Sequence, residues 1–137
     1  MKWAEQLMKL SNFELELLQA RLADVVAKRE AAQVRLAVLD AEGEGEMALA
    51  RIDPESAWRI SAFNEGLKHR KASAQREIEL TETEERGARD ALAEAFETLK
   101  RYEQVAENAR TAAARETARR EGQALDEIGL RRAAGRR

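Results

Sequence analysis

His69 is the chain's single histidine, and there is no cysteine. Zinc-type metal sites need several imidazoles or thiolates converging on one point, so His69 reads as a solvated helix-surface residue and not as a ligand. The acidic run Glu82-Thr83-Glu84-Glu85 offers carboxylates. On a helix these point outward around the barrel and pair with cations one turn away, which is a solvated face and not a metal cage. No glycine-rich phosphate loop occurs. Arginines are the third candidate. From Arg110 onward Arg110, Arg115, Arg119, Arg120, Arg131, Arg132, Arg136 and Arg137 stand against only Glu116, Glu121, Asp126 and Glu127. Two readings stay open for that end: a solvated helix terminus whose cations oppose the negative pole of the dipole, or a basic surface that meets an acidic protein. Nucleic acid is a poorer account, because no aromatic is interleaved for base stacking and the whole chain carries a formal charge of −2.

The elements that must position these residues are helices. Ala, Glu, Lys, Arg and Leu make up roughly 64% of the 137 residues, beyond the share at which a helical period points to coiled coil. Aromatic residues are 4% and charged residues 36%, too little bulk for a globular core but enough for a narrow seam between two helices. Leu15, Leu18, Leu22, Val25, Arg29, Ala32, Leu36 and Leu39 alternate three and four steps apart and form such a seam. Trp3, Leu7, Leu10, Phe13 and Leu17 follow helical spacing on a neighbouring face.

Gly43, Gly45 and the only proline, Pro54, mark where a continuous helix is expected to break. Asp53-Pro54-Glu55 supplies the next start: a capping carboxylate, a proline where no amide is needed, and an acid in the first turn. A second seam follows through Phe63, Leu67, Lys71, Ala74, Ile78, Thr81, Glu85, Ala88, Leu92, Ala95, Leu99, Tyr102, Ala106, Ala109 and Ala113. The expected fold is all-α: a single unit over 1–137, an antiparallel two-helix coiled-coil hairpin with a longer C-terminal helix. Helix one spans about 3–41, the turn 42–53, helix two 54–131 and a basic tail 132–137. With the turn centred near Met47, facing residues sum to roughly 94, so Leu39 is expected near Glu55, Leu15 near Glu79 and Trp3 near Ala91. Helix two then lacks a partner beyond about residue 92 while its stripe continues through Leu92, Leu99 and Tyr102. An apolar stripe left in water marks a binding surface.

A two-helix fold offers no pocket in which to shift a pKa or exclude solvent, so no catalytic, cofactor-binding or metal-ligating residue is expected, and the chain reads as non-enzymatic. Glu5, Glu14 and Glu16 interrupt any apolar signal region near the start, and no apolar run approaches a membrane span. A soluble, cytoplasmic protein is expected. The apolar overhang and the arginine end make other proteins the expected partners.

The order of these features resembles the FliJ family of flagellar export proteins and its relatives among virulence-type secretion stalks. The closing stretch Glu121-Gly-Gln-Ala-Leu-Asp-Glu-Ile-Gly-Leu-Arg-Arg-Ala-Ala134 is similar to the family's final pattern, with Leu125, Asp126, Glu127, Arg131 and Ala133 or Ala134 in the matching places. Lys100-Arg101-Tyr102-Glu103 is similar to the basic segment before it.

The resemblance implies a central stalk for a FliI-like export ATPase ring, contact with a FlhA-like export gate in the membrane, escort of export chaperones, and a place peripheral to the export apparatus. Leu92, Leu99, Tyr102, Arg115, Arg119, Arg120, Asp126 and Glu127 are the expected ATPase-binding residues. Leu39, Phe63 and Leu67 fill the places of the family's gate-binding cluster, Phe63 and Leu67 being expected at least partly exposed. Glu42, Glu46, Arg70 and Ala74 depart from that cluster's pattern. The implied protein is a monomer in isolation. A homodimeric spacer and a virulence-type stalk are the alternatives.

Overall fold

A computed structural model describes residues 2–135. They form three helices, α1 (Lys2–Ile52), α2 (Pro54–Ala57) and α3 (Ile60–Gly135), with no strand among the described residues. The all-α antiparallel pairing of a first helix with a longer second one is therefore the fold observed, α1 having 51 residues and α3 76. Contacts divide the chain into two units, Leu15–Glu94 and Met1–Glu14 with Ala95–Arg137.

Within Leu15–Glu94 the core is the seam between α1 and α3. Leu15, Val25, Ala32 and Leu39 are buried on one side, and Leu67, Ala74, Ile78 and Ala88 on the other. Leu39, Leu67 and Ala74 cluster, with Leu36 and Phe63 packed against them. The polar seam members are each satisfied. Thr81 Oγ1 donates back to the carbonyls of Glu77 (2.8 Å) and Ile78 (3.0 Å). Arg29 Nε donates to Glu85 Oε2 at 2.7 Å, and Lys71 Nζ lies 2.8 Å from Asp40 Oδ1.

Two boundaries differ from those expected. Helix one does not stop near residue 41 but runs through Gly43 and Gly45 to Ile52. Both glycines keep negative φ, so each weakens the helix by about 1 kcal/mol without ending it. Gly43 is buried and takes the next seam place after Leu39; a Cβ there would come within 2.7 Å of Leu67 Cδ2. Its smallness lets the two helices stay close. The turn instead centres on Asp53-Pro54, where proline's missing amide forbids continuation. The capping expected of Asp53 is present: Oδ1 accepts from the Glu55 amide at 3.1 Å and Oδ2 from Ser56 Oγ at 3.0 Å. The helix starting at Pro54 lasts one turn, however, and breaks at Trp58-Arg59. There the amides of Ser56 and Arg59 bond three residues back, to Asp53 and Ser56, the tighter 3₁₀ pattern.

The register follows from this longer first helix. Arg29 with Glu85, Asp40 with Lys71 and Gly43 with Leu67 give sums of 114, 111 and 110, not the 94 expected from a turn near Met47. Each expected facing pair moves accordingly: Leu39 packs with Leu67 and not near Glu55.

In the unit Met1–Glu14 with Ala95–Arg137, Ala4 and Ser11 are buried on α1, and Leu99 and Ala106 on α3. Ala4, Glu5 and Met8 line one shallow groove with Ala106 and Arg110. The start of α1 therefore lies beside Ala106–Arg110, and no residue of α1 flanks α3 beyond that point among the described residues.

Candidate functional site

The shifted register changes which part of α3 is free. Leu99 is buried, and Leu92 and Tyr102 are half-buried, so these three are seam residues and not an uncovered stripe. The expectation that helix two stands alone from residue 92 fails because α1 runs eleven residues past its expected end at 41, to Ile52. The uncovered end is shorter, Thr111–Gly135, and nearly every side chain on it is exposed. Arg115, Arg119, Arg120, Asp126 and Glu127 all lie there and are exposed, together with Leu125 (68%), Ile128 (47%) and Leu130 (70%). The helix persists to Gly135, so Arg132–Gly135 belongs to α3 and not to a separate tail; Arg136 and Arg137 lie outside the described residues.

The basic residues of this end are organised around one acid. Arg119 donates to Glu116 through both Nε (3.0 Å to Oε2) and Nη2 (2.7 Å to Oε1), and Arg120 Nε donates to Oε1 at 3.1 Å. The bonded Arg119, then Arg120, hold the Glu116 carboxyl below its ordinary range, and Glu116 in turn raises Arg119. A carboxylate gripped by two guanidiniums keeps its net local charge positive and fixes the orientation of both cations.

At the other expected site Leu39 and Leu67 are buried and Phe63 is half-buried. The exposure expected of Leu67 is not found: it closes the seam over Gly43. Phe63 stays reachable, with Arg70 Cζ 5.9 Å from its ring centroid. An open groove of about 480 Å³ runs beside this cluster, lined by Asp40, Gly43, Glu44, Met47, Arg51, Asn64, Leu67 and Lys71.

The sequence from Lys2 to the last residue, 2–137, matches the family described as Flagellar FliJ protein. The chain belongs to the FliJ family. Curated FliJ proteins from two strains of Caulobacter vibrioides are each 47% identical to it over 133 residues, covering 97% of this chain and 96% of theirs. No solved structure matches. The FliJ resemblance read from the closing residues thus extends over the chain's whole length. Among the described residues no group of three or more His, Asp or Glu side chains could hold a metal ion, and no helix is long and apolar enough to cross a membrane.

Several exposed residues were not singled out by sequence reasoning. Ile128 lies off the phase of the α3 seam, as does Leu125, which only the match to the family's closing pattern marks; Leu130 is in phase but follows the polar places Glu116, Arg120, Gln123 and Glu127. Trp58 (73%) and Ile52 (81%) flank the turn; a cap motif beside an aromatic with no seam partner was the available signal.

Proposed function

We propose that this FliJ-family chain is a non-enzymatic component of the flagellar type III protein export apparatus, acting as the stalk of its export ATPase ring. The observation that carries the reading is the free end of α3: Thr111–Gly135 outlasts the α1 partner and presents exposed Leu125 and Ile128 among Arg115, Arg119 and Arg120. A single bare helix with apolar anchors and oriented cations is a form that a groove or channel in another protein can enclose. In this reading Arg115, Arg119, Arg120, Asp126 and Glu127 contact the ATPase, while Leu92, Leu99 and Tyr102 hold the helix pair that supports them. Phe63 is the accessible member of the gate contact, with Leu39 and Leu67 packed beneath it. Escort of export chaperones is the third role carried by the resemblance. The flagellar name of the family and of both relatives favours the flagellar apparatus over a virulence-type one.

The test is direct binding of the full chain to purified flagellar export ATPase, set beside the chain ending at Arg110. Binding by the full chain and none by the shortened one supports the reading. Equal binding by both removes the free end from the site, and no binding by either removes the ATPase as a partner.

A further inference from the structure

The turn that joins α1 to α3 carries the most exposed large apolar side chains among the described residues. Ile52 is 81% and Trp58 73% exposed, and Leu49, one helical turn before Ile52, is 48% exposed. All three belong to the unit Leu15–Glu94, whose two long helices lead away from this turn. The seam does not use them: its nearest cluster is Leu39, Leu67 and Ala74, with Leu36 and Phe63 packed against it. Arg51 and Arg59 stand next to Ile52 and Trp58 in the chain, both exposed, and neither makes an ion pair among the described residues. Arg59 Cζ lies 5.4 Å from the Trp58 ring centroid. Of the turn's acids, Asp53 has both carboxylate oxygens taken by the cap, which leaves Glu55.

We propose that this turn is a membrane-contact element, seating Ile52 and Trp58 in the interfacial layer of a phospholipid bilayer with Arg51 and Arg59 at the phosphates. Three features select a bilayer over a groove in another protein. The exposed residues lie on both sides of the Asp53-Pro54 break, Leu49 and Ile52 at the end of α1 and Trp58 at the end of α2, so no single helical face collects them as a groove would require. Trp58 joins an apolar ring to an N–H that needs an acceptor, and the interface supplies carbonyl and phosphate oxygens at the depth where the ring is buried. Arginine lays its stem along apolar surface while the guanidinium reaches phosphate, which Arg51 and Arg59 can do because no carboxylate holds them. No helix among the described residues is long and apolar enough to cross a membrane, so the contact is peripheral. With Arg51 and Arg59 against Asp53 and Glu55 the turn is formally neutral; apolar burial therefore supplies the affinity and the guanidiniums the orientation. This contact goes beyond the export reading and does not depend on it.

The experiment uses the full chain carrying Trp3→Phe, which leaves Trp58 as the only tryptophan. Titration with large unilamellar vesicles of mixed phosphatidylcholine and phosphatidylglycerol should move the Trp58 emission to shorter wavelength. Lipids brominated near the headgroup should quench it more than lipids brominated at the acyl-chain end. Ile52→Ser should lower the partition coefficient about fivefold or more, with helical circular dichroism unchanged because the side chain packs on nothing in the seam. Trp58→Ser, read by vesicle sedimentation, should do the same. Binding should persist on phosphatidylcholine alone and at high salt, since the turn is neutral. An emission that does not move at millimolar lipid overturns the proposal and leaves the turn to a protein partner. So does vesicle binding that Ile52→Ser and Trp58→Ser leave intact, or binding that requires phosphatidylglycerol and vanishes in salt, since either marks another surface such as the arginine end of α3.

Discussion

Arg29 and Glu85 meet across the helix pair of Leu15–Glu94, with Arg29 Nε 2.7 Å from Glu85 Oε2 and both side chains mostly shielded, at 22% and 13% exposure. Each occupies a seam place that elsewhere holds an apolar residue. Gln33 accepts a second bond from Arg29 at 3.1 Å, and Arg89 donates to the other oxygen of Glu85 at 2.8 Å. The network fixes register, because a slip by one heptad would strand a charge against leucine or alanine.

That arrangement predicts asymmetric mutational losses. Arg29→Leu alone leaves Glu85 facing an apolar seam, and Glu85→Leu alone leaves Arg29 likewise, so either should lower the urea midpoint. The double variant Arg29→Leu/Glu85→Leu should be at least as stable as the parent, since a packed leucine pair replaces two partly desolvated charges. Additive losses in the double variant would mean the pair stabilises the fold outright.

The same carboxylate predicts a pH dependence. Hydrogen bonding from Arg89, ahead of that from Arg29, holds Glu85 below its ordinary value of 4.5, the partial burial opposing this. A carboxyl lowered in the folded state contributes stability above its unfolded pKa and loses it as pH falls through the folded value. Thermal midpoints should therefore drop as pH is taken below 4.5, and Glu85→Gln should flatten that part of the profile. An unchanged profile in Glu85→Gln would assign the acid response to other carboxylates.

Gly43 and Gly45 separate two effects of one residue type. Nothing lies within 4 Å of a Cβ built at Gly45, so Gly45→Ala should stabilise by about 1 kcal/mol through helix propensity. At Gly43 the added methyl meets Leu67 Cδ2 at 2.7 Å, an overpacking cost of about 1–3 kcal/mol against the same gain. Gly43→Ala should come out about 1 kcal/mol less stable than the parent in denaturant titrations. Equal gains at both sites would show that Leu67 gives way into the neighbouring groove.

Much of the fold was legible in the sequence, and the part that was not has a definite cause. Nearly every seam residue from Leu15 to Leu39 and from Phe63 to Ala109 is buried or half-buried as its spacing predicts; Ala113 alone is exposed. The register was missed because two glycines were weighed as a break, although a long helix with many good formers absorbs their cost. Seam length held the better signal. In the phase of Leu99 and Ala106 the α3 seam turns polar at Glu116 and Arg120, so its apolar part ends where α1 does. Matching that length to α1 requires a seam from Ala4 through Gly43 to Ala50, and hence a turn at Pro54. The free end is legible as a basic stretch without a partner helix, but Leu125 and Ile128 lie off the seam's phase, and Leu130, in phase, stands alone after Glu116, Arg120, Gln123 and Glu127.

Burial at Leu99 and exposure at Leu125 give the last prediction, which separates support from docking on one helix. Leu99 is 9% exposed in the pair formed with the start of α1, so Leu99→Ala should destabilise that pair by about 2–5 kcal/mol. Leu125 is 68% exposed, so Leu125→Ala should leave the thermal midpoint unchanged. On the proposed ATPase the order reverses. Burying Leu125 and Ile128 in a partner's groove would contribute roughly 1.5–3 kcal/mol each, and Leu125→Asp should abolish binding by a chain that is fully folded. Arg119→Ala should weaken binding only modestly, because Arg120 still grips Glu116, and should act chiefly by reducing the salt dependence. Melting curves and ATPase titrations on these variants give the answer together. A Leu125→Asp chain that binds as well as the parent, while Leu99→Ala loses binding and stability in proportion, would move the docking surface back to the seam.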